Sequence, residues 1–202
     1  MSHIPTADQR SADILASVRS TFAQKGFDGA SMQDLARAAG MSVGNFYRYF
    51  PSKAAIVDAL IALDLAEMEA DFRLVIDSPR PIETLRQMLR EHIPRHQCAH
   101  DGQLWAEITA AALRRPEIGA AAFRMETTIA GYLTGVFAAE TSLPRHEAER
   151  RFSAHAMFII MLVKASAALE TGTNGDLEHL NALIFRSIDQ TLDEIASFTL
   201  KD

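Results

Sequence analysis

Small, polar and aromatic side chains are concentrated in one short segment of the N-terminal quarter. Ser42, Asn45 and Arg48 can form hydrogen bonds there, Tyr47 adds an aromatic hydroxyl, and Lys53 adds a cation. Groups of these types recognise phosphates and the polar edges of bases. The segment therefore indicates non-covalent recognition rather than bond-making chemistry.

Metal binding and catalysis find little support elsewhere in the sequence. His92, His96 and His100 recur every four residues around Cys98, and histidine is a common metal ligand. Pro94 breaks or kinks the helix that would bring them onto one face. We expect a solvated helix end there, with no metal and no cofactor. Without a glycine-rich phosphate loop or a nucleophile elbow we also expect no enzyme, although a helical metal or redox enzyme remains an alternative.

Composition and charge narrow the class of protein. The 202 residues are 48% apolar and 23% charged, which is ordinary for a globular protein and excludes a disordered chain. One cysteine excludes a disulfide scaffold, and the longest apolar run, residues 156–163, is too short to cross a membrane. With no signal-peptide pattern, we expect a cytoplasmic protein without a membrane partner. The net charge is −6, yet residues 1–53 carry six basic and four acidic side chains.

Apolar spacing of three and four residues predicts an all-α fold of about nine helices. Glycine, serine and proline mark their ends: Gly26 and Gly40 stop the first two helices, Ser42 caps a short third helix, and Pro51 closes it. The remaining helices are predicted from Ser52 to about 77 and over residues 82–96, 102–113, 116–139, 144–171 and 176–199.

Residues 31–50, SMQDLARAAGMSVGNFYRYF, place two short capped helices on either side of a tight turn. This arrangement is typical of a helix-turn-helix, whose second helix enters the major groove of DNA. Phe46 and Phe50 lie four residues apart and can face the core, which leaves Tyr47 and Arg48 outward. Gly44 is a poor helix former, and its presence makes sense where a ligand approaches the backbone closely.

The combination of motifs in residues 10–60 resembles the N-terminal DNA-binding domain of the TetR family of bacterial transcription regulators. The motifs that carry the resemblance are Gly26-Phe27, SMQDLA (31–36), AGMS (39–42), GNFY (44–47) and YFPSK (49–53). Ser31 stands where threonine is frequent, and Ala54 where an acidic residue is frequent. The resemblance implies a three-helix DNA-binding domain, residues 1–52, followed by a larger helical ligand-binding and dimerisation domain, residues 53–202.

The resemblance also implies a role for each matching residue. Ser31 and Met32 would meet the phosphate backbone, while Ser42, Val43 and Asn45 would face base edges. Tyr47, Tyr49 and Lys53 would bind phosphates, and Arg48 would reach a phosphate or a base. We include Gly44 and Arg37 in the predicted interface, with a solvated charge as the open alternative for Arg37.

The last two helices carry apolar stripes, and the resemblance implies that they pair with their copies in a second chain to give a four-helix dimer bundle. The alternative is an intramolecular core. The residues predicted at that interface are Phe152, Ala156, Ile159, Ile160, Val163, Leu180, Ile184, Ile188 and Leu192.

The middle helices are predicted to enclose an apolar site for a small molecule, although the same residues would fit an ordinary core. The candidate ligand-binding residues are Met88, His92, Trp105, Ile108, Phe123, Thr127 and Phe158. Glu107 lies among them and could meet a cation, but we expect it to pair with Arg114.

These features together predict a regulator, most simply a repressor, that binds a palindromic double-stranded operator as a homodimer and is released by a small-molecule effector. A helical small-molecule-binding protein that has lost DNA binding is the alternative. The intact polar face of the third helix favours the regulator.

Overall fold

The computed structural model describes residues 7–96, 99–167 and 177–198, and the described part is helical without a strand. Its nine helices confirm the predicted fold class. They are α1 (Ala7–Lys25), α2 (Met32–Ala38), α3 (Val43–Tyr49), α4 (Lys53–Ile76), α5 (Pro81–His96), α6 (Ala99–Ala112), α7 (Pro116–Thr141), α8 (Arg145–Ala167) and α9 (Leu177–Ala196). Among these described helices, none combines the length and apolar character needed to cross a bilayer.

The described chain divides into two compact units. The first contains Met1–Asp64 and His100–Phe123, and the second contains Leu65–Ala99 and Arg124–Asp202. The first unit therefore includes α1 to α3, the first half of α4, nearly all of α6 and the start of α7. The predicted functional boundary between residues 52 and 53 rests on the resemblance and stays a prediction.

The core of the first unit holds the three N-terminal helices together. Phe22 and Phe27 are both at most 2% exposed, and their rings stack with centroids 5.4 Å apart. Phe46, fully buried on α3, packs against Phe50 with ring centroids 5.5 Å apart. The predicted inward orientation of both phenylalanines is confirmed. This core fixes the orientation of α3 relative to α1 and α2.

The core of the second unit contains most of the residues predicted for a dimer interface. Seven of those nine are at most 7% exposed within the single chain, namely Phe152, Ala156, Ile159, Ile160, Ile184, Ile188 and Leu192. Val163 and Leu180 are partly buried against the same core. Burial of the seven side chains within one chain favours the alternative of an intramolecular core, and the place of all nine at a dimer interface stays a prediction.

Other apolar side chains of α8 and α9 remain exposed. They are Met157 (44% exposed), Phe158 (38%), Met161 (57%) and Leu183 (41%). Helix α8 thus presents apolar residues both to the core and to solvent. The sequence pattern showed the apolar residues but not which of the two sets faces inward.

Candidate nucleic-acid interface

Two local motifs build the helix-turn-helix. Ser31 caps α2: its Oγ accepts a hydrogen bond from the backbone N–H of Asp34 at 3.1 Å, and Asp34 accepts one from the backbone N–H of Ser31 at 3.0 Å. Ser42 caps α3 by accepting from the N–H of Asn45 at 3.3 Å. Between the helices, Gly40 adopts φ +64°, a conformation that glycine takes without a steric penalty. The turn angle between α2 and α3 therefore depends on Gly40 and on two serine caps.

Asp34 joins the start of α2 to the end of α1. Besides the backbone of Ser31, its carboxylate accepts hydrogen bonds from the Ser31 hydroxyl at 2.6 Å and from Lys25 Nζ at 2.7 Å. The bond from Lys25, followed by those from Ser31, holds the pKa of Asp34 well below its usual value. Because the Ser31 hydroxyl donates to Asp34, it must break that bond before it can donate to a phosphate.

The predicted base-reading face of α3 is open to solvent. Ser42, Val43, Gly44 and Asn45 are all exposed. Apart from its chain neighbours and the backbone of its own helix, no described atom lies within 4 Å of a Cβ placed on Gly44. Tyr47 and Tyr49 are 45% and 47% exposed, large values for aromatic side chains on a folded surface. Helix α3 therefore has a fully buried anchor at Phe46 and an outer face that can enter a groove.

The predicted phosphate-contacting residues differ in their exposure and in the contacts that they already make within the chain. Arg48 is exposed and Met32 is half-buried. The Arg37 side chain is 80% exposed, and its Nη1 lies 3.8 Å from Asp34 Oδ1. Lys53 is half-buried instead: its Nζ donates to the backbone oxygens of Phe27 at 2.7 Å and Asp28 at 3.1 Å. Burial lowers the pKa of Lys53. An ammonium has three donors, so one remains for a phosphate.

The structure adds a group of contacts on the turn between α1 and α2 that the sequence did not predict. Glu107 accepts a hydrogen bond from the backbone N–H of Phe27 at 2.9 Å, while Arg114 and Arg115 contact Asp28 at 2.9 and 2.7 Å. The expected pairing of Glu107 with Arg114 is therefore wrong. Contacts between residues 80 to 87 positions apart leave no local pattern in a sequence.

The candidate ligand-binding residues do not form one site within either unit. Trp105 (partly buried), Ile108 (1% exposed) and Phe123 (68% exposed) belong to the first unit. Met88, His92, Thr127 and Phe158 belong to the second, where Met88 packs against the core and Thr127 and Phe158 are exposed. The seven residues stay a prediction.

A cavity of about 840 Å³ opens between α5 and α9, and none of the seven predicted residues lines it. Arg90 and Asp189 face each other there at 2.5 Å, and the Arg90 guanidinium lies 5.3 Å from the Phe185 ring centre. Its lining thus mixes charged and aromatic groups.

Most of the histidine pattern lies outside the described residues. Helix α5 ends at His96 and α6 begins at Ala99, while Cys98 and the side chains of His96 and His100 lie outside the described residues. Within the described part of the chain no group of three potential metal ligands converges.

Taken together, a short α3 with a solvent-facing polar surface, set by capped α2 and a glycine turn, defines a protein of the helix-turn-helix class. Residues 14–60 match the family model described as "Bacterial regulatory proteins, tetR family". The regulator UidR of Escherichia coli is 28% identical over 120 residues, 59% of this chain and 60% of that protein. The regulator EthR of Mycolicibacterium smegmatis is 38% identical over 74 residues, 37% of this chain and 34% of that protein.

Solved structures share the whole fold. GusR of Salmonella enterica covers 96% of this chain, with 99% of its own chain matched, a TM-score of 0.68 and 20% identity. A TetR regulator of Legionella pneumophila covers 94%, with 99% of its own chain matched, a TM-score of 0.70 and 18% identity. The match to the TetR family model covers residues 14–60, the segment in which the motifs of that family were found in the sequence. UidR and EthR are both described as HTH-type transcriptional regulators, and the expectation that this chain is not an enzyme stays a prediction.

Proposed function

We propose that this chain regulates transcription by binding double-stranded operator DNA through α3, as a homodimer and in the cytoplasm. The observation that carries the proposal is the division of α3 into a buried anchor, Phe46, and an exposed face with Asn45, Tyr47 and Arg48. A B-form major groove is about 12 Å wide and admits one helix. The curated relatives, which are matched over 60% of their length or less, are themselves HTH-type regulators.

Each part of the exposed face has its own task in this proposal. Ser42, Val43 and Asn45 stand at the N-terminal end of α3, the end that meets base edges in this motif. Tyr47, Tyr49 and Arg48 lie toward its other end, and with Ser31, Met32, Arg37 and Lys53 they contact phosphates. Phosphate contacts fix the position of the protein on the duplex, whereas base contacts select the sequence.

Duplex binding with matched variants tests the proposal. We expect the wild-type chain to bind DNA from the flanks of its own coding region, with an affinity that falls steeply as salt rises. Tyr47→Ala should weaken binding to every duplex, whereas Asn45→Ala should lower the preference for the operator by about 1–3 kcal/mol per lost base contact. Fluorescence anisotropy on operator and scrambled duplexes measures both effects.

An arginine pair provides the control. Arg48→Ala should reduce the salt slope by about one phosphate contact, and Arg150→Ala, an equally large change at a 72% exposed side chain of α8, should not. If Tyr47→Ala and Arg48→Ala bind every duplex as the wild type does, α3 is not the DNA-contacting helix.

We propose that the homodimer forms through the exposed apolar faces of α8 and α9, centred on Met157, Phe158 and Met161. An apolar surface of this kind on a chain that also has its own core favours a partner. A two-fold dimer would present two copies of α3 to half-sites about 34–36 Å apart, or a multiple of that. This arrangement requires a palindromic or pseudopalindromic operator.

We further propose that the chain is a repressor released by a small-molecule effector. The effector must bind the DNA-competent and the DNA-incompetent conformers with different affinities, since only such a difference shifts their balance. Genes beside the coding region would identify candidate effectors, and one that weakens operator binding in the anisotropy assay would support the proposal. Increased transcription of the flanking gene on deletion of the regulator would distinguish repression from activation.

A further inference from the structure

The turn between α1 and α2, residues 26–28, is held from two directions inside the first unit. From α4, Lys53 Nζ bonds the carbonyl oxygens of Phe27 and Asp28 and lies 5.3 Å from the Phe27 ring centre. From α6 and the α6–α7 connection, Glu107 bonds the Phe27 N–H, and Arg114 and Arg115 contact the Asp28 carboxylate. The turn therefore joins Lys53 to α6.

Of these contacts, the hydrogen bond to Glu107 should stabilise the 26–28 turn most. Its carboxylate forms a charge-assisted hydrogen bond with the amide of a 2% exposed residue, and such bonds are about twice as strong as neutral ones. The ion pairs of Arg114 and Arg115 join side chains that are 46–57% exposed; pairs of this kind contribute little singly. The fit at Glu107 is close, because a Cβ at Gly26 would lie 3.0 Å from its Oε2.

We infer that Glu107, assisted by Arg114 and Arg115, is a positioning residue for DNA binding, which holds the 26–28 turn so that Lys53 presents its remaining donor to a phosphate. A displacement of α6 would then lower DNA affinity through this turn, without any change in α3. The inference rests on the proposed function, because it concerns the same interface.

The test compares Glu107→Ala, Glu107→Gln and the control Glu117→Ala, an exposed glutamate in the first turn of α7. Binding to a fluorescent duplex from the flank of the coding region should weaken about tenfold in Glu107→Ala, a loss of about 1.4 kcal/mol. Glu107→Gln keeps an acceptor for the Phe27 N–H and should lose no more than about threefold. Glu117→Ala should bind as the wild type does.

A double variant separates positioning from a general loss of stability. If Glu107 acts through Lys53, Glu107→Ala combined with Lys53→Met should bind no more weakly than Lys53→Met alone. Additive losses, or equal binding by Glu107→Ala and wild type, would overturn the inference. A wild-type chain that binds no duplex would instead overturn the proposed function.

Two further measurements test the inference, one without DNA and one that does not depend on the folding of Glu107→Ala. Amide hydrogen exchange at Phe27 should be faster in Glu107→Ala than in Glu117→Ala, independently of DNA, and unchanged exchange would contradict the inference. Where Glu107→Ala fails to fold, the Asp28→Arg variant should weaken binding, and adding Arg115→Asp should restore it. Failure of this charge swap to restore binding would count against the role of Arg115.

Discussion

Phe46 and Tyr47 are neighbours on α3 with opposite environments. Phe46 is fully buried and packs against Phe50, whereas Tyr47 is 45% exposed. A single step along a helix turns a side chain by about 100°, so adjacent residues of a helix on the surface commonly serve the core and the solvent in turn. The proposed interface therefore depends on two kinds of residue, those that hold α3 and those that contact DNA.

This division predicts different effects of two adjacent substitutions. Phe46→Ala should lower the free energy of unfolding of the first unit by about 3–5 kcal/mol, because it leaves a cavity. Tyr47→Ala should change it by no more than about 0.5 kcal/mol, as exposed substitutions commonly do. Urea unfolding followed by fluorescence of Trp105, the single tryptophan and part of the first unit, measures both. A large loss in Tyr47→Ala would mean that its ring has a structural role.

At the scale of elements, two glycines of the helix-turn-helix are present for different reasons. Gly40 adopts φ +64°, so the conformation of the turn requires it. Gly44 lies in the first turn of α3, outside the left-handed region, with open space around it. No contact among the described residues therefore explains a glycine at position 44.

The two positions should respond to alanine in opposite directions. Gly40→Ala should cost about 1–2 kcal/mol because alanine resists positive φ. Gly44→Ala should gain up to about 1 kcal/mol through helix propensity, and at the same time weaken operator binding if DNA approaches the backbone there. Thermal melts and anisotropy on the same samples test both statements. Unchanged operator binding by Gly44→Ala would remove the reason offered for this glycine.

The helix boundaries of the helix-turn-helix could be predicted from the sequence because their causes are local. Ser31, Asp34, Gly40 and Ser42 lie within a few residues of the ends that they define, and the structure places the capping bonds there. The contact between Glu107 and Phe27 could not be predicted in the same way, since it depends on how distant helices pack.

Helix α8 shows a second limit of sequence patterns. Both Ile159–Ile160, which are buried, and Met157–Phe158, which are exposed, are apolar pairs two positions apart. A helix that is apolar on more than one side gives no single stripe from which to identify its inner face. The sequence therefore predicted an apolar α8 correctly but could not tell which of its apolar side chains the chain itself buries.

At the scale of the whole molecule, the proposed dimer determines whether one or two copies of α3 reach the operator. A single short helix makes few base contacts, and a second copy doubles them without a new recognition element. The exposed methionines of α8 suit such a contact, because their flexible thioether side chains adapt to irregular partner surfaces.

Placing a charge on this face should separate the two chains. We expect Met161→Arg to give a monomer in gel filtration with light scattering at micromolar concentration, because the guanidinium would be desolvated in an apolar contact. Leu74→Arg, the same kind of change at a 72% exposed residue of α4, should leave the dimer intact. Operator binding should fall in Met161→Arg alone. A wild-type monomer, or a dimeric Met161→Arg, would contradict the proposed interface.

Gly26 is restricted by its own backbone as well as by Glu107. Its φ of +74° disfavours any side chain, and the Glu107 carboxylate fills the space that a side chain would occupy. Glu107→Ala would relieve the crowding at position 26 but leave the dihedral strain. A mutational scan should therefore find that position 26 does not tolerate other residues even in the Glu107→Ala background. A change at Glu107 alone should therefore not make any substitution at position 26 neutral, and evolution should keep a glycine there.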